Sequence, residues 1–226
     1  MALHFLREMD RINQQLIAVG DSVEKQVSNA YEALCNLDVP AAQRVIRQDE
    51  DVDTEEVQLE EECLKLLALY QPVAVDLRLI VSMLKINMDL ERIGDHAAHI
   101  SRIAIRLSEL PQVEMPQSMH TIYQQSKLML RKSLLAFVEA DSTLAETVLR
   151  MDEEVDALCK ATMPGQIELI RNNPDETEQR LMITTACRQL ERIGDHAANI
   201  AENVIYLLSG DIIRHGTVPR PVVRAT

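Results

Sequence analysis

The chain has no tryptophan, and aromatic residues supply only 3% of its 226 positions. Its 46% hydrophobic content therefore has to come from Leu, Ile, Val, Ala and Met, the composition of helices packed by aliphatic side chains. Six glycines and eight prolines are few, and they sit mostly at the edges of apolar-periodic segments. No stretch approaches 18 uncharged apolar residues, so no membrane-spanning helix is expected. The segment from Met1 to Asp10 is charged and amphipathic and lacks the apolar centre of a signal peptide. The four cysteines (Cys35, Cys63, Cys159, Cys187) form no CxxC pair. Their positions inside helical patterns predict buried free thiols and a reducing, cytoplasmic compartment. Basic residues are also short: 23 Lys and Arg face 36 Asp and Glu, a formal net charge of −13. That balance argues against nucleic acid as a partner, and against direct docking on anionic lipid. A cation or a positively charged partner fits better. No GxSxG, P-loop or GxGxxG motif is present, and no Cys is placed with a His as a nucleophile pair.

What the chain does have is a repeat. Residues 91–100, Glu-Arg-Ile-Gly-Asp-His-Ala-Ala-His-Ile, return at 191–200 with one change, Asn199 for His99. Upstream, Asp49-Glu50-Asp51-Val52-Asp53 corresponds to Asp152-Glu153-Glu154-Val155-Asp156, and Asp38 to Asp141, both at an offset of 103. The offset then falls to 100, so the first copy carries three extra residues between Asp53 and Glu91. Each copy reads as three long helices. In the first, helices are expected from about Phe5 to Leu37, from an Asp38 cap with Pro40 in its first turn to Tyr70, and from Pro72 to Leu110. Pro111 and Pro116 bracket the connection. In the second they are expected from Gln117 to Ala140, from an Asp141 cap to Arg171, and from Pro174 to Ser209. Asn173 should cap the last of these and Gly210 should stop it. Pro164-Gly165 should break or kink the fifth helix. The predicted fold is all-α, two tandem antiparallel three-helix bundles related by an internal pseudo-twofold. The first bundle spans 1–112 and the second 113–216, and 217–226 form a flexible tail.

The repeat also carries chemistry. Glu91 and Asp95, and again Glu191 and Asp195, stand four residues apart, close to one line of a helix surface at about 100° per residue. Asp49 with Asp53, and Asp152 with Asp156, do the same on the preceding helix. Stacked anions repel by a few tenths of a kcal/mol, so keeping four such pairs suggests a use for negative charge. If the helices face each other, four carboxylates gather in each copy. An oxygen-only set suits hard cations such as Mg, Ca, Mn or Fe, and not a structural zinc site. Gly94 and Gly194 permit close approach along that face. The competing reading is a solvated acidic face paired with Arg92, Arg192, Arg47 or Arg150. A ferritin-like metalloenzyme is a further alternative, but it would need ExxH motifs that are absent. His96 and His196 read as surface or packing residues.

The segment Gln71-Pro72-Val73-Ala74-Val75-Asp76-Leu77-Arg78-Leu79-Ile80, with Asp89 to Asp95 after it, closely resembles the PhoU family of phosphate-signalling regulators. So does Leu190 to Asp195, followed by Asn199-Ile200-Ala201-Glu202 and Tyr206 to Gly210. The resemblance implies a cytoplasmic, non-enzymatic homodimer acting as negative regulator of phosphate uptake and of the phosphate-starvation response. It implies an adaptor between a phosphate ABC transporter, through its ATPase subunit, and a PhoR-type sensor histidine kinase, with the membrane reached only through these partners. It also implies iron or another divalent cation (Mn, Mg, Ca, Zn or Ni) at the acidic motifs in some members and none in others. The positions carried over are Glu91, Asp95, Glu191 and Asp195, with Asp49, Asp53, Asp152 and Asp156 as partners. No organic cofactor is implied.

Overall fold

The computed structural model describes residues 2–211, which form six long helices in chain order. The last positions of the expected second bundle and the tail 217–226 lie outside the described residues. The first three helices are α1 (Ala2–Asn36), α2 (Val39–Tyr70) and α3 (Ala74–Ser108). The second three are α4 (Gln117–Glu139), α5 (Ser142–Asn172) and α6 (Thr177–Ser209). Among the described residues no helix is long and apolar enough to cross a membrane.

The two halves turn corners identically where their sequences agree. After α1 the N–H of Asp38 reaches back to Ala33 O (3.0 Å), and after α4 that of Asp141 reaches Ala136 O (3.0 Å). Leu37 and Ala140, at φ 50° and 52°, hold the left-handed conformation such a helix end requires. The same aspartates then start the next helix. Asp38 Oδ1 accepts from Ala41 N–H (2.9 Å) and Asp141 Oδ1 from Leu144 N–H (3.0 Å).

Three expectations need correction. Asn173 does not cap α6 through its side chain; Pro174–Glu176 form a 3-10 turn first, and the Asn173 amide donates to Glu176 Oε1 (2.6 Å). Of the break or kink expected at Pro164-Gly165, the break does not occur: α5 runs unbroken from Ser142 to Asn172. Pro164 lies on the exposed side, where water can take the Lys160 carbonyl it leaves without a partner. Cys35 is exposed, whereas Cys63, Cys159 and Cys187 are the buried free thiols expected.

The apolar stripe of α1 (Ile12, Leu16, Val19, Val23, Val27, Ala30) is buried throughout. So are the stripes Leu90, Ile93, Ala97, Ile100, Ala104 on α3 and Leu190, Ile193, Ala197, Ala201, Val204 on α6. The two bundles are fused along α3 and α6, which pack on each other as extensively as any helix pair within a bundle. The duplicated histidines lie on this seam, their rings 5.4 Å apart. His96 Nδ1 donates to Gln189 Oε1 (2.7 Å) and His196 Nδ1 to Asp89 Oδ1 (2.9 Å). They are packing residues that tie one half to the other.

Candidate functional site

The acidic residues of each half converge where the middle of α2 faces α3, and α5 faces α6. Asp49 is only 6% exposed, and its Oδ1 accepts a hydrogen bond from the Gln26 amide on α1 (3.0 Å). Gly94 makes this possible. A Cβ at that position would lie 3.1 Å from Asp49 Oδ1 and 3.2 Å from Gln26 Oε1. Burial raises the Asp49 carboxyl above the usual carboxylate range, the charges of Asp53 and Asp95 push the same way, and the Gln26 amide pulls it back. Glu91 is raised by desolvation and then by Asp95, with Asp53 and Glu56 adding to it. The four carboxylates predicted in the first half thus share one electrostatic patch, with Glu56 as a fifth member.

The second half repeats the patch with different surroundings. Met129 stands where the repeat places Gln26, so no amide reaches Asp152. Asp152 Oδ1 is buried and meets no donor. Desolvation, reinforced by Asp195, Asp156, Glu191 and Glu202, raises this carboxyl to about 7. Glu191 and Asp195 are raised too, first by desolvation and then by Asp156. Burial first, and then the charge of Glu191, push up the thiol of Cys159, which stands at the position of Glu56, to about 11.

Of the four arginines that could have neutralised these faces, only Arg92 reaches a motif carboxylate among the described residues, Glu91 at 3.3 Å and Asp95 at 3.1 Å. In the second half Lys160 holds Asp156 (3.0 Å). Each patch therefore keeps unpaired negative charge, part of it removed from water at Asp49, Glu91, Asp152 and Glu191. An all-oxygen donor set with an orphaned buried oxygen is chemically suited to a hard cation. The side chains do not close on one point: among the described residues no three His, Cys, Asp or Glu groups stand in metal-holding geometry. Cation capture would need rotation of Asp95 and Asp195 toward the buried Asp49 and the buried Oδ1 of Asp152.

Sequence reasoning named all eight motif carboxylates but missed Gln26, Met129, Glu56 and Cys159. Glu56 and Cys159 were within reach, one turn beyond Asp53 and Asp156 at the same offset. Gln26 could have been found as a polar residue beside the apolar stripe of α1.

Fold and site together define a class: paired three-helix bundles fused along their third helices, each with a Glu-x-x-x-Asp motif facing two aspartates of the preceding helix. Comparison with known proteins agrees with that definition. The PhoU domain model matches residues 16–104 and 119–204, one match for each bundle. The chain is 41% identical over 93% of its length to a phosphate-specific transport system accessory protein PhoU homolog from Pseudomonas putida, covering 83% of that protein. A homolog of the same description from Aquifex aeolicus is 34% identical, with 94% of this chain and 96% of that one covered. The crystal structure of PhoU from Pseudomonas aeruginosa superposes with a TM-score of 0.87 at 40% identity, covering 92% of this chain and all of that one. The phosphate transport system regulatory protein PhoU from Streptococcus pneumoniae gives 0.85 at 29% identity, covering 93% of this chain and all of that one. The chain belongs to the PhoU family.

Proposed function

We propose that this protein is an accessory of a phosphate-specific transport system and a negative regulator of phosphate uptake and of the phosphate-starvation response. It acts in the cytoplasm as a non-enzymatic adaptor, a homodimer joining the ATPase subunit of a phosphate ABC transporter to a PhoR-type sensor histidine kinase. A rigid pair of bundles can couple affinities for two partners when both bias one equilibrium. The two acidic patches supply the bias. Glu91, Asp95, Asp49 and Asp53 in one half, and Glu191, Asp195, Asp152 and Asp156 in the other, would hold a hard divalent cation or iron. When bound, such a cation supplies charge neutralisation and no redox or hydrolytic step. The observation that carries the reading is the doubling of a half-buried, under-neutralised carboxylate patch within a family whose relatives bear the transport-accessory name.

The test is a deletion strain grown in abundant phosphate. Phosphate-starvation genes should be derepressed and then silenced by the wild-type gene. Genes that stay repressed in the deletion would end the adaptor reading. Elemental analysis of the purified protein and of an Asp152→Asn, Glu191→Gln variant reads the cation part separately. An ion-independent scaffold is the second reading, favoured by the open arrangement of the carboxylates. It predicts identical metal content in both samples and full silencing by the variant.

A further inference from the structure

The second bundle has an opening that the first lacks. α4 is 23 residues long against 35 for α1, so about 18 Å of helix is missing at the start of the second copy. Where α1 would continue, a cleft of about 570 Å³ lies between the first turn of α4, the second half of α5 and Arg180 of α6. Its lining has changed character as well. The first-half counterparts of Thr162, Gln166 and Arg180 are Leu59, Cys63 and Ile80, all fully buried apolar residues.

Arg180 is explained by the fold. It holds Glu176 through Nε and Nη2 (2.9 and 2.6 Å) and donates from Nη1 to the Glu114 carbonyl in the linker between bundles (2.8 Å). Gln166 has no such explanation. It is 4% exposed, lines the cleft, has its Oε1 buried without a donor, and makes no hydrogen bond. A buried amide oxygen without a donor is unfavourable, because it has given up water and gained nothing in return. Beside it the α4 helix begins without a side-chain cap, and the N–H groups of Gln117 and Ser118 reach no protein acceptor. Those amides and the helix dipole favour a negatively charged oxygen.

A bare anion does not suit the rest of the cleft. The charge of Arg180 is already balanced by Glu176, and the carboxylates of Glu114 and Glu168 stand at the rim. The occupant must bring positive charge along with its anion. We propose that this cleft binds a free α-amino acid or a closely related zwitterion. Its carboxylate sits on the Gln117 and Ser118 amides, its ammonium faces Glu168 and Glu114, and Gln166 bonds to the ligand between them. The volume lies in the usual range for small-molecule sites, roughly 300–1,000 Å³.

Thermal unfolding of the full chain with each of the twenty common amino acids tests this. At about ten times Kd, a binding amino acid should raise Tm by roughly 3–5 °C. Gln166→Leu, which restores the apolar character of the first half, should abolish the shift. Glu168→Gln, at an exposed position, should weaken binding about tenfold and keeps the test valid if Gln166→Leu folds poorly. The proposal is overturned if no amino acid shifts the wild-type protein, or if both variants respond as wild type does. It is equally overturned if sodium acetate or inorganic phosphate produces the same shift as the amino acid.

Discussion

Asp49 and Asp152 occupy the same place in the two halves, and only one of them has a hydrogen-bond donor. Gln26 reaches Asp49, whereas Met129 in the same position leaves Asp152 Oδ1 buried and unbonded. The helices, the motif and the glycine opposite are shared, so the difference in electrostatics traces to the side chains around them: Gln26 against Met129 on the first helix of each half, and Arg102, which lowers Asp49, against Glu202, which raises Asp152. An amide answers the charge in the first half with a permanent dipole. In the second half the answer must be a proton or a cation. The second patch is accordingly the one whose state depends on conditions.

The largest effect should come from removing that charge. The Asp152 carboxyl lies near 7 in the folded protein, against about 3.9 in an unfolded chain. Between those values the folded state binds the extra proton, so stability contributed at low pH is lost as pH rises from about 4 through about 7. Asp152→Asn should remove this loss. Urea unfolding in the presence of a chelator at about pH 8 should show a gain of about 2–4 kcal/mol, and the pH slope between 4 and 7 should flatten. An unchanged slope would mean that Asp152 is solvated and ionised throughout this range, and would overturn the contrast with Asp49.

Exchanging the partner side chains should move the two halves toward each other. Gln26→Met leaves Asp49 buried without its donor, and should lower stability by about 2 kcal/mol at neutral pH. Met129→Gln offers an amide to Asp152 and should raise stability by about 1 kcal/mol, with a reduced pH dependence. Denaturant midpoints for the two single variants and the double exchange decide this. Equal effects of the same sign would refute the comparison.

The shared part of the architecture predicts equality instead. Asp38→Ala and Asp141→Ala each delete an N-cap with the same geometry, and should each lower stability by about 1 kcal/mol. These caps were legible in the sequence because a cap depends on residues three apart in one chain segment. The decapeptide repeat, the six helices and the buried stripes were legible for the same reason, since each rests on local spacing. Less local features were not. The fusion along α3 and α6 requires knowing which face of Ala98 and Ala198 meets a neighbour. The role of Gln26 depends on α1 packing across Gly94, some 70 positions away in the chain. Whether Pro164 breaks its helix turns on whether it faces water or core, and sequence periodicity around Thr162 to Gln166 does not say. The cleft beside Gln166 follows from helix length in one half compared with the other, and its traces in the sequence were the late start of α4 at Gln117 and the polar Thr162, Gln166 and Arg180 where the first half has Leu59, Cys63 and Ile80.

The two glycines of the repeated motif give the smallest effects and the most direct contrast, because their sequence contexts match and their surroundings differ. In either helix, replacing Gly by Ala gains up to about 1 kcal/mol of helix propensity. At Gly94 the new methyl would lie 3.1 Å from Asp49 Oδ1 and 3.2 Å from Gln26 Oε1, two buried groups bonded to each other. Neither can retreat without lengthening that bond, so Gly94→Ala should be destabilising by about 1 kcal/mol net. At Gly194 the nearest atoms are the Cε and Sδ of Met129 and the Oγ of Ser126, all at 3.5 Å, ordinary contact that crowds neither side chain. Gly194→Ala should therefore be stabilising by about 0.5 kcal/mol. Opposite signs at two positions in one repeated decapeptide can arise only from what stands across the helix interface. Chemical denaturation of the two variants reads the difference, and the contrast fails if both move the midpoint in the same direction. In the double variant with Met129→Gln, the gain at Gly194 should disappear, since an amide placed against that surface recreates the crowding found at Gly94.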